Sequence, residues 1–381
     1  LVYKFGMKPH TEAKHRILEL YLEKWFPILN KLREGVAYID GFAGPGRYRE
    51  KERGSPIIAL ETANKYSGKP GFYARIWLIE TDAKRHASLT KHVGQVELKE
   101  GIRVEGILKS TFEKSLPDIV EKLQADGMPP TFVFVDPTGY SGVKMSTLAK
   151  FLENPRCEFM FTFMESSLER SLGNSEDARK RSLNDLFGTC DWEEGFTMKG
   201  YEQIKFFLAL YTKQLRLHGV KYTLPFEMRR KTENTIYHLV FATNSKRGLE
   251  AMKESMVKVD PKFTFGISDV MVTGQTHLVS FESDKGWYSD ASDLIFQKYH
   301  GKANVPLEEI KCFVITDTPY VWRAGIMKRM QDAGLASKTP YEPVEKIKKE
   351  LKYLITFSKS RPVQARGTQT RLDQDSWGAS P

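Results

Sequence analysis

The stretch YIDGFAGPGRY, residues 38–48, ends an apolar run in Asp40 and then turns on Gly41, Gly44 and Gly46. Glycine lacks a Cβ and tolerates left-handed φ, so such a turn can bring bare backbone against a ligand. A second apolar run, RIWLIE at 75–80, ends in Glu80 followed by Thr81. A carboxylate at the end of the next strand can accept hydrogen bonds from ribose hydroxyls, so the glycine turn and Glu80 together describe a nucleoside-cofactor site. The turn by itself could equally be a tight strand-to-helix connection. With Asp40 ahead of the glycines and Phe42 in the first glycine position, the pattern departs from the dinucleotide fingerprint. A third acid, Asp136, closes FVFVDPTGY at 132–140 and is followed by Pro137. Structurally this could be a plain strand-end turn.

Elements at regular intervals must position these groups. VAYID (36–40), RIWLIE (75–80), IRVEGI (102–107), TFVFVD (131–136) and CEFMFTF (157–163) are short, apolar and rich in β-branched or aromatic residues, as strands are. Helical segments lie between them. Ser55 reads as an N-cap with Pro56 at the first helical position, and DAKRHASLTKHV and FEKSLPDIVEKLQADG read as crossovers. Alternating strand and helix predicts an α/β fold with a mainly parallel sheet covered on both faces. Ahead of the first strand, Ile17, Leu20, Tyr21, Trp25, Ile28, Leu29 and Leu32 recur at helical spacing, which predicts an amphipathic helix within 1–35 packed on the core. A mostly helical insertion at 165–220 precedes the strand pair YTLPFEMRR and TIYHLVFATN, in a domain read as 36–300. From 305 to 360 a short helix, Thr318 as cap, Pro319 at the first helical position and a second helix ending at Gly334 predict a winged helix-turn-helix. Residues 361–381 are polar and aperiodic and read as a flexible tail, overlapping a basic run from Lys346 to Arg371.

The chain has 381 residues, 40% of them hydrophobic, which is enough for a substantial core. A net charge of +10 fits a polyanionic partner or substrate such as nucleic acid, and equally a merely soluble basic protein. RYREKERG at 47–54 adds four cations in one loop, either a solvated loop or a lid that touches phosphates. No apolar run is long enough to cross a bilayer and no signal core is evident, so a cytoplasmic protein with no membrane partner is expected. Cys157, Cys190 and Cys312 are scattered, without metal-ligand spacing, so neither a disulfide framework nor a metal site is expected.

Asp40 with the following glycines resembles the D-x-F-x-G-x-G first motif of class I S-adenosylmethionine-dependent methyltransferases. That resemblance implies S-adenosylmethionine as cofactor, with Asp40, Phe42, Ala43, Gly44 and Gly46 around its methionine end and Glu80 and Thr81 at its ribose. The acid that usually meets the adenine amine is replaced by GILKSTF, which leaves Ser110 or backbone for adenine. Asp136 and Pro137 resemble the catalytic D-P-x-x element of amino-methyltransferases, nearest the D-P-F-G form of enzymes that methylate the exocyclic N2 of guanine in tRNA. By that resemblance Asp136 would accept a hydrogen bond from the acceptor amine and Tyr140 would stack on a flipped base. Cytosine C5 chemistry needs a cysteine at this strand end, and the cysteines are elsewhere.

Taken together, KHRILELYLEKWFPIL, YIDGFAGPGRY with GSPIIALE, the Asp-Pro-x-Gly element, LFGTCDW and YHLVFATNSKRGLEAMKESMVKVD are similar to the three-Cys-motif partner (TcmP) family over residues 11–345. Thr138 stands where that family more often has phenylalanine. The resemblance implies a class I methyltransferase-like domain and a three-Cys-motif protein as a possible partner. Three functions follow as expectations: a methyltransferase for an amine in nucleic acid, a non-catalytic cofactor-binding or scaffolding subunit, and a small-molecule or protein methyltransferase.

Overall fold

The structure, a computed structural model, describes residues 9–32, 34–48, 52–137, 139, 142–164, 176–229, 235–259, 266–268, 286–341 and 352–361. The chain divides into two compact units, 1–283 with 319–321 and 284–318 with 322–381.

The first unit is built on one sheet. Strand β1 (Val36–Asp40) pairs in parallel with β2 (Ala74–Ile79) on one side and β4 (Thr131–Val135) on the other. Outside these lie β3 (Ile102–Leu108) and β5 (Cys157–Phe163), also parallel. Then β7 (Thr235–Thr243) runs antiparallel to β5, β6 (Tyr222–Arg229) antiparallel to β7, and β8 (Gly266–Ser268) closes the far edge. The order β3-β2-β1-β4-β5-β7-β6-β8 begins as the doubly wound 3-2-1-4-5 arrangement, continues through two antiparallel steps at β7 and β6, and ends in β8, parallel to β6. This mainly parallel sheet is Rossmann-like in its strand order. Every residue of β1, β4 and β5 is buried, the condition that makes parallel strands uninterrupted apolar runs.

The crossovers are α2 (Ser55–Asn64), α3 (Ala83–Gly94), α4 (Phe112–Ala125) and α5 (Met145–Leu152). Asp82 caps α3 by accepting from the Arg85 amide, and Thr111 caps α4 by accepting from the Lys114 amide. At α2 the cap is Gly54, not Ser55, and Pro56 falls one position later than the sequence suggested. The Gly54 amide bonds the Gly46 carbonyl at 2.8 Å, and a Cβ on Gly54 would stand 2.6 Å from that oxygen, so the folded-back turn leaves room only for glycine. In the insertion, α6 (Glu176–Phe187), α7 (Trp192–Gly195) and α8 (Gly200–Leu217) are helical, and residues 165–175 lie outside the described residues. Phe187, Phe207 and Tyr211 of these helices join Phe161 and Phe163 of β5 in an aromatic cluster.

The N-terminal helix α1 (Pro9–Asn30) and α9 (Lys246–Val259) pack together on the sheet. Leu32, read as part of the apolar stripe, lies past the end of α1 and is 48% exposed. Tyr21 donates to Glu158 Oε2 at 2.5 Å and Thr243 to Oε1 at 2.6 Å, so one buried carboxylate ties α1, β5 and β7 together. Burial raises the Glu158 pKa, and these hydroxyls counter it.

The second unit contains α10 (Gly286–Tyr299), β9 (Val305–Pro306), α11 (Leu307–Asp317), α12 (Ala324–Asp332), β10 (Ala336–Tyr341) and β11 (Lys352–Phe357). Its antiparallel sheet has the order β10-β11-β9. The helix α10, which the sequence reading left in the first domain, packs on α12, and its Tyr299 stacks on Phe357 of β11 at 5.5 Å. Thr318 is the C-cap of α11, donating back to the Val314 carbonyl at 2.7 Å, and the next helix starts only at Ala324, so Pro319 is not its first residue. Residues 342–351 and the proposed tail from 362 onward lie outside the described residues.

Replacing Tyr21 by phenylalanine keeps the ring and removes the donor to a buried carboxylate. We expect Tyr21→Phe to cost about 1–3 kcal/mol in urea unfolding, and an unchanged midpoint and slope would refute the role given to Glu158.

Candidate functional site

The pairing register decides which residues share an edge. Asp40 stands opposite Leu78 of β2 and Phe134 of β4, so Glu80 and Asp136, each two residues beyond those partners, emerge beside it at the carboxyl ends of three adjacent parallel strands. That edge is where open α/β sheets bind ligands.

Asp40 is fully buried. The Phe42 amide donates to its Oδ1 at 3.3 Å and the Tyr38 hydroxyl to Oδ2 at 3.4 Å. Burial nevertheless raises its pKa to about 7, against the opposing effects of the Ser55 hydroxyl and the Phe42 amide. Glu80 is buried and accepts from the Asp82 amide at 2.8 Å, which orients its carboxylate at the start of α3. Thr81 beside it is exposed.

Between them, Gly44 and Gly46 have φ of +63° and +83°. Ser88 and His92 of α3 donate to the Pro45 carbonyl at 3.2 and 2.8 Å and pin the turn from behind. In front it is open, because a Cβ on Gly44 would meet only the Tyr48 hydroxyl, at 3.9 Å. The neighbouring residues are spent on structure. Ala43 is buried, with its amide bonded to the Ile79 carbonyl, and Phe42 packs on Phe112, which also fills the space a side chain at Gly41 would need. Ser110 lies two residues beyond β3, half-buried, and donates to the Thr111 carbonyl at 3.4 Å.

Asp136 faces α1. Lys14 donates to its Oδ2 at 2.5 Å. Burial would raise the Asp136 pKa, but the charge and hydrogen bond of Lys14 outweigh it and hold the carboxyl below its ordinary range. Pro137 behind it is buried, and Tyr140 lies outside the described residues. His15, next to Lys14, is buried and pushed down to about 4, first by burial and then by the Lys14 charge, so it is neutral at physiological pH. Tyr48 packs near it, with ring centroids 6.1 Å apart, and burial and the charges of Asp136 and Asp40 raise its pKa.

Lys14, His15 and Tyr48 therefore stand at this edge, with the Tyr237 ring 5.3 Å from the Lys14 ammonium, though motif reading passed over them. The available signal was the position of Lys14 on the stripe of Leu18 and Tyr21, where a charge at i and apolar residues at i+4 and i+7 share one helix face. Of the loop 47–54, Arg47 and Arg53 turn back onto Glu61, and Arg53 also onto Glu19, so these two cations are paired within the protein.

Among the described residues no helix is long and apolar enough to cross a membrane, and no group of three or more His, Cys, Asp or Glu is placed to hold a metal. Neither a family model nor a curated protein matches the chain. Solved structures similar to it include the protein LPL1258 from Legionella pneumophila, 10% identical over 64% of this chain and 91% of that one, with a TM-score of 0.35. Others are the human methyltransferase 10 domain containing protein, 15% identical over 60% and 83% with a TM-score of 0.30, and the human Mettl16 catalytic domain in complex with a MAT2A 3′UTR hairpin, 13% identical over 60% and 70% with a TM-score of 0.27. At such scores the strand order, not these likenesses, carries the fold.

The pKa of Asp40 gives a signed prediction. Because the folded protein holds this proton up to about pH 7 while the unfolded chain loses it near its ordinary value, the unfolded state binds fewer protons between those limits and stability falls as pH rises through them. Asp40→Asn should flatten that decline in urea unfolding from pH 4 to 8, and parallel curves for the two proteins would contradict it.

Proposed function

We propose that the first unit is an S-adenosylmethionine-dependent methyltransferase that modifies an exocyclic amine in nucleic acid. The observation that carries this reading is the convergence of Glu80, Asp40 and Asp136 at one sheet edge around a left-handed, open-sided glycine turn. The residues present fit the cofactor. Gly44 leaves the cradle that a Cβ would fill, Glu80 suits ribose hydroxyls, and Asp40 lies under the turn for the methionine end. When bound, the cofactor supplies an electrophilic methyl group.

The protein's part is to bind, orient and exclude water. An exocyclic amine has its lone pair delocalised into the ring, and a carboxylate that accepts one of its N–H bonds localises that pair toward the methyl donor. Asp136 suits this task as an anion below its ordinary pKa range, a hydrogen-bond acceptor more than a proton sink. The net charge of +10 favours a polyanionic acceptor. We further assign the chain to the three-Cys-motif partner family and the second unit to the winged helices, whose helix, strand, helix, helix, strand, strand order it follows, with a nucleic-acid or partner-docking role. A non-catalytic subunit for a three-Cys-motif protein is the second reading, favoured by the ion pair that already occupies Asp136.

Calorimetry should show S-adenosylhomocysteine binding at about −8 kcal/mol or better, weakened by roughly 1–3 kcal/mol in Glu80→Ala. Absence of heat at millimolar ligand would end the cofactor assignment. With methyl-labelled S-adenosylmethionine and total RNA or DNA, Asp136→Ala should retain cofactor affinity and lose transfer by about a hundredfold or more. If the wild-type protein labels no nucleoside with or without its partner, the non-catalytic reading stands instead. For the second unit, the log–log salt slope of RNA or DNA binding should flatten, by about 0.7–0.9 per lost contact, when the chain is cut after residue 283 and the remainder still binds cofactor. An unchanged slope would move that unit to protein docking.

A further inference from the structure

The carboxylate assigned to the acceptor is not vacant. Lys14 Nζ lies 2.5 Å from Asp136 Oδ2, and the two side chains are only 6% and 19% exposed. The same ammonium stands 5.3 Å from the centroid of the Tyr237 ring. A carboxylate on one side and an aromatic ring on another is how proteins hold a desolvated ammonium. Burying such a pair costs hydration on both partners, and it contributes little to stability compared with apolar residues of similar size. Its place in the molecule is therefore more telling than its strength. It lies at the ligand-binding edge, on the first turns of α1, which the Tyr237 hydroxyl also holds by donating to the His10 carbonyl at 3.1 Å, and the later turns are anchored separately by Tyr21 on Glu158 and by Trp25 and Phe26 in the core.

We propose that Lys14 is a built-in occupant of the acceptor seat: its ammonium takes the position of the acceptor N–H on Asp136 until an amine-bearing acceptor displaces it and the first turns of α1 withdraw. This rests on reading Asp136 as the acceptor-binding carboxylate. The occupant is protected from alkylation because a protonated amine has no lone pair, and its ion-pair partner remains an anion that does not take the proton. It also narrows the acceptor class. Whatever replaces an N–H donor on a buried carboxylate must itself donate a hydrogen bond, or Asp136 is left unpaired. To react it must be neutral while doing so, as the exocyclic amine of a nucleobase is and a lysine side chain at neutral pH is not. Lys14 thus acts as a specificity-determining gate as well as a plug.

The test uses the full chain. In Lys14→Ala the missing atoms correspond to n-propylammonium, so this ion should raise the melting temperature of the variant saturably. It should have no such effect on wild type or on the Lys14→Ala, Asp136→Asn double variant, and n-propanol or tetramethylammonium should not substitute. Lysine acetylation read by peptide mass spectrometry provides a measurement that needs no cavity variant. Lys14 should be protected in wild type, react at least about tenfold faster in Asp136→Asn, and become reactive in wild type when adenosine, guanosine or cytidine is added with S-adenosylhomocysteine. A folded Lys14→Ala that ignores propylammonium, or a wild-type Lys14 as reactive as the surface residue Lys99, overturns the proposal. Propylammonium rescue without methyl transfer to any nucleic acid would leave Lys14 as occupant of the seat and sink the methyltransferase reading, whereas transfer by a protein whose Lys14 is unprotected would do the reverse.

Discussion

Three carboxylates share one edge of a parallel sheet, and the surrounding structure is arranged to make that tolerable. Charges taken out of water lose hydration, and like charges at short range raise one another's pKa. Each acid meets the problem differently. Asp40, fully buried at the end of β1, holds its proton up to about pH 7. Glu80 accepts the Asp82 amide at the start of a helix, and Asp136 takes the ammonium of Lys14. The result is an edge with graded charge rather than a uniformly anionic one.

Helix α1 is therefore more than a cover for the core. Near its middle it donates Tyr21 to Glu158 at the start of β5, and nearer its first residue it donates Lys14 to Asp136 beyond the end of β4. The same helix thus reaches opposite ends of two neighbouring strands, one through a buried neutral donor and the other through a charge. Glu158 is held by two hydroxyls from different elements, while Asp136 has an ion pair whose net strength is small after desolvation. Such an asymmetry places the charged contact at the carboxyl ends of the strands and the neutral one at their amino ends.

The glycine turn is shaped by backbone contacts more than by side-chain chemistry. Gly46 and Gly54 fold back on each other closely enough to exclude a Cβ, and Ser88 and His92 hold Pro45 from behind. Gly44 alone faces open space. A rigid back and an open front preorganise the backbone, so ordering the turn need not be completed when ligand arrives.

Much of the first unit was legible in the sequence. The runs VAYID and CEFMFTF coincide with β1 and β5 because strands covered on both faces must be apolar throughout, and the acids that follow or end such runs stand out against them. Helix starts were less legible. Gly54 replaced Ser55 as cap because a close approach to Gly46 decided it, and Thr318 turned back to cap α11, since its hydroxyl can serve either neighbour until the chain direction is known. The partner of Asp136 was the least visible of all. Lys14 and Asp136 are 122 residues apart, and no local pattern relates them. Composition and periodicity determined which segments would be strands and which acids would sit at their ends, because burial acts on each segment by itself. Only the tertiary structure decided which charge would answer which acid, because ion pairing depends on distance in space and not on separation along the chain.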